Sequence, residues 1–147
     1  MDDKFQWLTR GEAPMPGLDF ARVQRWIVEV ARRHNRICGP LTYIFCDDTT
    51  IIDVNRRFLN HDYFTDIITF DDTRGRLLRG DMFISLDTVR TNAEGLAVPY
   101  TRELMRVIVH GVLHLCGIND KGPGEREIME AHENDALALW DEMNCSL

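Results

Sequence analysis

His110-Gly111-Val112-Leu113-His114-Leu115-Cys116-Gly117-Ile118-Asn119-Asp120 is the stretch from which the rest of the chain is best read. It has the form H-x-x-x-H-x-x-G-x-x-D. Two histidines four apart on a helix point the same way, because about 3.6 residues make one turn. Gly117 can take a positive φ and end that helix, letting the chain turn back. Asp120 then returns with a carboxylate. Two imidazoles and one carboxylate make a three-ligand site, and the open fourth position is the layout of a catalytic rather than a structural zinc. The plainer alternative is a core helix with two histidines on its polar edge and Asp120 as a turn former.

The same spacing occurs in metzincin proteases, where a glutamate directly follows the first histidine and acts as general base. Here that position is Gly111, which cannot move a proton. A peptidase reading therefore needs a carboxylate from elsewhere in the chain.

Outward from this stretch the chain alternates between helix and strand. Pro99 and Thr101 open the histidine helix, which closes near Cys116. Gly122-Pro123-Gly124 separates it from a last helix, about Glu125 to Met143. Upstream, Phe5 to Leu8 alternates weakly as a first strand, and Pro14 and Pro16 break the chain before a helix from about Asp19 to Asn35. Phe20, Val23, Ile27, Val30 and Ala31 give that helix its apolar face, and Gly39-Pro40 is expected to end the segment. Leu41 to Cys46 is β-branched and aromatic, a strand. Asp47-Asp48 caps a helix through about Phe58. Ile67 to Phe70 is a third strand. After a polar turn holding Gly75 and Gly80, Asp81 to Leu86 is a fourth, read as antiparallel to the third. Asp87 is expected to cap the helix that follows, to about Gly95. This order implies an α/β or α+β fold with one small sheet.

The 147 residues are enough for one domain with its own core, and we read residues 1–147 as that single domain. The N-terminus shows no basic region followed by an apolar run, so no signal peptide is expected. The longest apolar stretch, near Val107 to Leu115, is too short to span a bilayer. Cys38, Cys46, Cys116 and Cys145 lie far apart without a C-x-x-C pair, which argues against a disulfide framework or a cysteine zinc knuckle. A reducing cytoplasm is the simplest setting. Cys116 points about 200° away from His114 around the helix and is read as a packing residue.

The net charge of −7 is unevenly spread. Residues 118–147 carry eight acids and two bases, while residues 20–37 carry five arginines and one glutamate. Arg22, Arg25, Arg32, Arg33 and Arg36 recur at near-helical spacing. They form either a solvated face or a phosphate-contacting one.

The segment His110 to Gly117 resembles the signature of the YbeY family of metal-dependent endoribonucleases. Further pieces match in order: Asn55, then Thr65-Asp66-Ile67-Ile68-Thr69-Phe70, then Gly80-Asp81-Met82-Phe83-Ile84-Ser85, then Glu103-Leu104 ahead of the histidine helix. The resemblance runs from about Tyr43 to about Trp140. It implies a mixed four-stranded sheet packed with about five helices, and a metal at the start of a cleft. It also implies zinc-dependent cleavage of single-stranded RNA, in maturation of 16S-type ribosomal RNA at its 3′ end and in ribosome quality control. The implied cofactor is one Zn²⁺ per chain, on His110, His114 and Asp120. The implied partners are ribosomal RNA and the ribosome or its assembly proteins, in the cytoplasm and away from membranes. Two positions depart from the family pattern. Asp120 stands where the third ligand is usually histidine, and Leu59 stands where the family usually has a functional arginine.

The remaining candidates each admit two readings. Thr65 and Asp66 orient either a turn or a substrate. Asp81 is either a strand-end residue facing water or a carboxylate accepting from a ligand imidazole. Glu103, seven residues before His110, shares its face or simply opposes the helix dipole. His61 lies in a polar segment that borders the cleft in the family. Arg56 and Arg57 are the nearest bases to Leu59 and are candidate substrate contacts with Thr65, Asp66 and His61. His132 has no partner at ligand spacing and is read as structural. With the usual arginine and a general base both missing, a ribosome-associated assembly factor with a structural zinc stands as an alternative. A divergent metallopeptidase is a further one.

Overall fold

The computed structural model describes residues 4–60 and 65–145. In chain order the elements are β1 (Phe5–Thr9), α1 (Phe20–Arg33), β2 (Ile37–Cys46), α2 (Asp48–Leu59), β3 (Ile67–Asp71), β4 (Leu77–Ser85), α3 (Leu86–Leu96), α4 (Tyr100–Leu115) and α5 (Glu125–Met143). The four strands form one mixed sheet in the order β1-β2-β4-β3. β1 is parallel to β2 and β2 to β4, while β3 runs antiparallel to β4 with Phe70 opposite Asp81. The fold is α+β, with the four strands and five helices that the resemblance implies.

Side chains alternate across the sheet with period two. Tyr43, Phe45, Met82 and Ile84 face the larger core, which α1, α4 and α5 close with Trp26, Ile27, Ile108, Val112 and Leu137. On the other face α2 sets Ile51 and Val54 against Cys46 and Ile68. Buried polar groups lock the layers together. Tyr43 Oη donates to the Ile108 carbonyl at 3.0 Å, and Trp26 Nε1 donates to the Ala136 carbonyl at 2.8 Å. The second bond, with the edge contact of Trp26 on Trp140, fixes α5 against α1.

α4 is the central helix, and most of its side chains are buried. It stops as its sequence suggests. Gly117 has φ 95°, the Gly117 N–H bonds to the His114 carbonyl at 2.9 Å, and the Ile118 N–H bonds to the Leu113 carbonyl at 3.1 Å. These are the two bonds of a Schellman ending, and they swing Asp120 back toward the helix.

Three boundaries differ from expectation. α1 ends at Arg33, with His34 as its cap and Asn35 at φ 61°, before Gly39-Pro40 is reached. Gly39-Pro40 lies inside β2, where the pairing with β4 shifts register between Cys38 and Leu41. β4 likewise begins at Leu77 and runs straight through Gly80. A Cβ at Gly80 would sit 2.5 Å from the Phe70 carbonyl oxygen, so this glycine marks a close approach of two strands rather than a turn. The third difference is the cap of α3. Ser85 accepts from the Thr88 N–H at 3.3 Å, whereas Asp87 accepts from the Asp48 N–H at 3.0 Å and so ties α3 to α2.

Gly80→Ala should therefore lower stability by about 1–3 kcal/mol, because a backbone carbonyl cannot yield as a flexible side chain can. The thermal midpoint should fall by several degrees. An unchanged midpoint would show that the two strands can part without cost.

Candidate active site

One stripe of α4 escapes burial in the core. Arg102, Arg106, His110 and His114 recur every four residues and, with the buried Glu103, line a cleft of about 1040 Å³. The other walls come from Thr65 and Asp66 with the first residues of β3, from Asn55 and Leu59 of α2, and from Leu96 at the end of α3 and Val98 beyond it. Asp120, Lys121 and the first turns of α5, with Arg126 and Glu133, complete it.

His110 is the hub of this cleft. Its Nε2 lies 3.3 Å from Asp120 Oδ2, and its Nδ1 lies 2.7 Å from Glu133 Oε2. The other oxygen of Glu133 accepts from Arg106 Nη1 at 2.9 Å, and Arg106 Nη2 reaches Asn134 Oδ1 at 2.8 Å. Burial opposes the charged forms here, yet the partners outweigh it. Desolvation alone would lower the His110 pKa, but the Glu133 hydrogen bond and the charges of Glu133, Asp120 and Asp66 hold it above its ordinary value. Desolvation would raise Glu133, but its bonds from His110 and Arg106 hold it below the usual carboxylate range. For Asp66 and Glu103 desolvation wins, although Asp66 also accepts bonds from its own backbone N–H and that of Ile67. Burial pushes both up, against the attraction of His110 for Asp66 and of Arg106 for Glu103.

The sequence candidates are thus partly assembled. His110, His114, Asp120, Thr65 and Asp66 line the same cleft, and Glu103 joins them. His110 and Asp120 touch. Among the described residues, no three His, Cys, Asp or Glu side chains converge tightly enough to enclose an ion. The donor types nevertheless suit a divalent metal. Two ligands about 2.0 Å from a tetrahedral centre lie about 3.3 Å apart, which is the His110–Asp120 separation. Arg56 and Arg57 are not among the lining residues. Arg57 instead pairs with Asp53 at 3.2 Å on the exposed side of α2. His61 lies outside the described residues. Asp81 is exposed on β4, and the carboxylate bonded to a site imidazole is that of Glu133.

The arginines of residues 20–37 are largely engaged locally. Arg32 and Arg33 share Glu29 at 2.6 and 3.1 Å, and Arg22 pairs with Asp19 at 3.3 Å. Arg36 donates to the Cys116 carbonyl at 3.0 Å, bracing the end of α4. The thiol of Cys116 is buried and pushed up to about 11 by desolvation, as befits a packing residue. His132 packs edge-on against His34, 5.1 Å between ring centroids.

The sequence model of the family described as endoribonuclease YbeY matches residues 16–141. The chain belongs to the YbeY endoribonuclease family. The endoribonuclease YbeY of Phocaeicola vulgatus is 62% identical over 125 residues, covering 85% of this chain and 91% of that one. The endoribonuclease YbeY of Porphyromonas gingivalis is 47% identical over 131 residues, covering 86% and 87%. A Thermotoga maritima protein solved in solution superposes with a TM-score of 0.61 at 21% identity, covering 95% of this chain and 93% of its own, and it speaks for the fold alone. As a YbeY-family member the chain is an endoribonuclease, which replaces the peptidase reading. The packing agrees, because a Cβ at Gly111 would lie 2.5 Å from Met82 Sδ and 3.0 Å from Ile67 Cδ1. A glutamate there has no room.

Glu133, Arg106, Lys121 and Arg126 were not singled out from sequence. For Glu133 a signal existed. It falls with Met129, Ala136 and Leu137 on the buried stripe of α5, and an acid on such a stripe needs a partner.

Proposed function

We propose that this YbeY-family chain is a metal-dependent endoribonuclease that cuts single-stranded segments of ribosomal RNA during its maturation. His110, His114 and Asp120 would hold one divalent ion, with zinc the best match to two imidazoles and a carboxylate. The observation that carries this reading is the doubly engaged His110, with Nε2 directed at Asp120 and Nδ1 held from behind by Glu133. Such an ion, when bound, supplies Lewis acidity toward a phosphoryl oxygen and acidifies water to a pKa of about 7.

The chain's own residues bind and orient the strand. Lys121 and Arg126 line the cleft without an ion-pair partner among the described residues, so their charge is available to phosphates. Arg102 and Arg106 are committed to Asp141 and Glu133. Thr65 and Asp66 are assigned to orienting substrate beside β3. Arg56 and Arg57 would reach only RNA that extends past Leu59, and His61 is kept as a candidate substrate contact. A single strand suits the site because A-form duplex hides its base edges. No helix among the described residues is long and apolar enough to cross a membrane. We place the activity in the cytoplasm, on ribosomal RNA and its assembling particles, with ribosome quality control as part of the same role. The test is cleavage of a single-stranded RNA with and without a chelator, beside a peptide substrate. Chelator-sensitive RNA cleavage with no peptide turnover is expected. Chelator-insensitive RNA cleavage would overturn the metal, and intact RNA in the metal-loaded sample would leave only an assembly role.

Leu59 is 41% exposed on the cleft wall, so an arginine fits there without entering a core. Leu59→Arg should raise RNA affinity several-fold at low salt and steepen the salt dependence by about one unit in log–log slope, the mark of one added phosphate contact. Unchanged binding at every salt, with a lowered melting temperature, would remove this position from the RNA path.

A further inference from the structure

The geometry points to Glu133 as a positioning residue: clamped by Arg106, its carboxylate fixes His110 in the tautomer that carries hydrogen on Nδ1 and leaves the Nε2 lone pair open toward the cleft, beside Asp120. The inference rests on the proposed metal site and adds to it the group that decides which ring nitrogen can serve. Glu133 is 8% exposed, and its oxygens are divided between two donors, Nδ1 of His110 at 2.7 Å and Nη1 of Arg106 at 2.9 Å. An ionised carboxylate only accepts, so the hydrogen between Glu133 and a neutral His110 belongs to Nδ1. Nε2 is then left with its lone pair. Arg106 cannot accept a hydrogen bond in any state, so it always demands an oxygen on its side of Glu133. Asn134 holds the guanidinium in place at 2.8 Å.

This clamp makes a near-isosteric change revealing. In Glu133→Gln the single amide oxygen is claimed by Arg106, and the amide nitrogen is left facing Nδ1. That nitrogen donates, so Nδ1 must accept and the hydrogen moves to Nε2. The ring keeps its place and loses its donor toward the cleft, the wrong-tautomer outcome known when a carboxylate behind a functional histidine becomes an amide. Removing the guanidinium as well, in Glu133→Gln with Arg106→Met, frees the amide to turn its oxygen to Nδ1 and restores the original tautomer.

Two readouts test this. The first is ¹⁵N NMR of the His110 imidazole in the metal-free protein, at a pH where the ring is neutral. Wild type should show hydrogen on Nδ1, Glu133→Gln and Glu133→Ala on Nε2, where Asp120 can accept it, and the double variant on Nδ1 again. The second is Zn²⁺ affinity by competition with a chelating chromophore. Glu133→Gln should bind about 10–100-fold more weakly, as when a group orienting a ligand is lost. The double variant should recover most of that. A group that merely stabilised the fold would not be rescued by a second deletion. Hydrogen on Nδ1 in both wild type and a folded Glu133→Gln, or an unswitched single tautomer in Glu133→Ala, overturns the inference. If Glu133→Gln shows the tautomer switch yet wild type takes up no Zn²⁺, the positioning role stands and the metal reading falls.

Discussion

Replacing His110 or His114 by alanine should remove the metal and abolish RNA cleavage. Each change leaves two protein donors, too few to compete with water for the ion. The loss should exceed the roughly 10–100-fold that follows when only an orienting group behind a ligand is removed. The two substitutions should differ in stability. His110 bridges Glu133 and Asp120, so its loss leaves two carboxylates facing each other across the cleft, whereas His114 has no ion pair among the described residues. Asp120→His is the informative companion. It supplies the family's commoner third ligand, so it should keep the metal while raising the net charge at the site by one unit. Elemental analysis beside circular dichroism checks all three. Full metal occupancy in a folded His110→Ala, His114→Ala double variant would place the ion elsewhere.

Gly111→Glu should give the largest loss of stability, and no peptidase. The position follows the first histidine, where a metzincin protease carries its base. In this fold it faces Met82 and Ile67, not the cleft, and Met82 is fully buried. Even Gly111→Ala places a Cβ 2.5 Å from the Met82 sulfur. Overpacking of that kind costs about 1–3 kcal/mol, against which an alanine recovers up to about 1 kcal/mol in helix propensity. A glutamate adds an unpaired carboxylate to an apolar layer, and the cost should pass about 3 kcal/mol. Denaturant unfolding of the two variants beside wild type measures both numbers. A stable Gly111→Glu protein that hydrolyses peptides would mean that α4 can rotate its histidine face, and would sink the packing argument.

The predictions separate two kinds of residue. The proposed ligands His110, His114 and Asp120 are brought to one cleft by spacing that any α-helix with a glycine ending would produce, and so they are visible before any fold is known. Gly111 also stood out in the sequence as a missing base. Its structural reason, contact with β3 and β4, became visible only once α4 lay on the sheet. The strand limits behave in the same way. Gly39-Pro40 and Gly80 look like breaks in a one-dimensional reading, because glycine and proline most often punctuate elements. Inside this sheet they mark a register shift and a close approach, and both depend on the neighbouring strand. Charge was the least legible property. The arginines of α1 read as a possible RNA face, yet Glu29 and Asp19 hold three of them on their own helix, while Lys121 and Arg126 from an acidic region face the cleft.

By itself the sequence determined the order of helices and strands, the antiparallel pairing of β3 with β4, the ending of α4 at Gly117, and the family to which the chain belongs. All of these rest on local spacing or on short motifs, whose geometry the backbone enforces without help from distant residues. Only the tertiary structure decided what stands behind His110. Glu133 lies on another helix, and its arrival depends on how α5 is seated by the Trp26–Ala136 hydrogen bond and the Trp26–Trp140 contact. No spacing rule carries that information, because the angle between two packed helices is set by side chains from across the core.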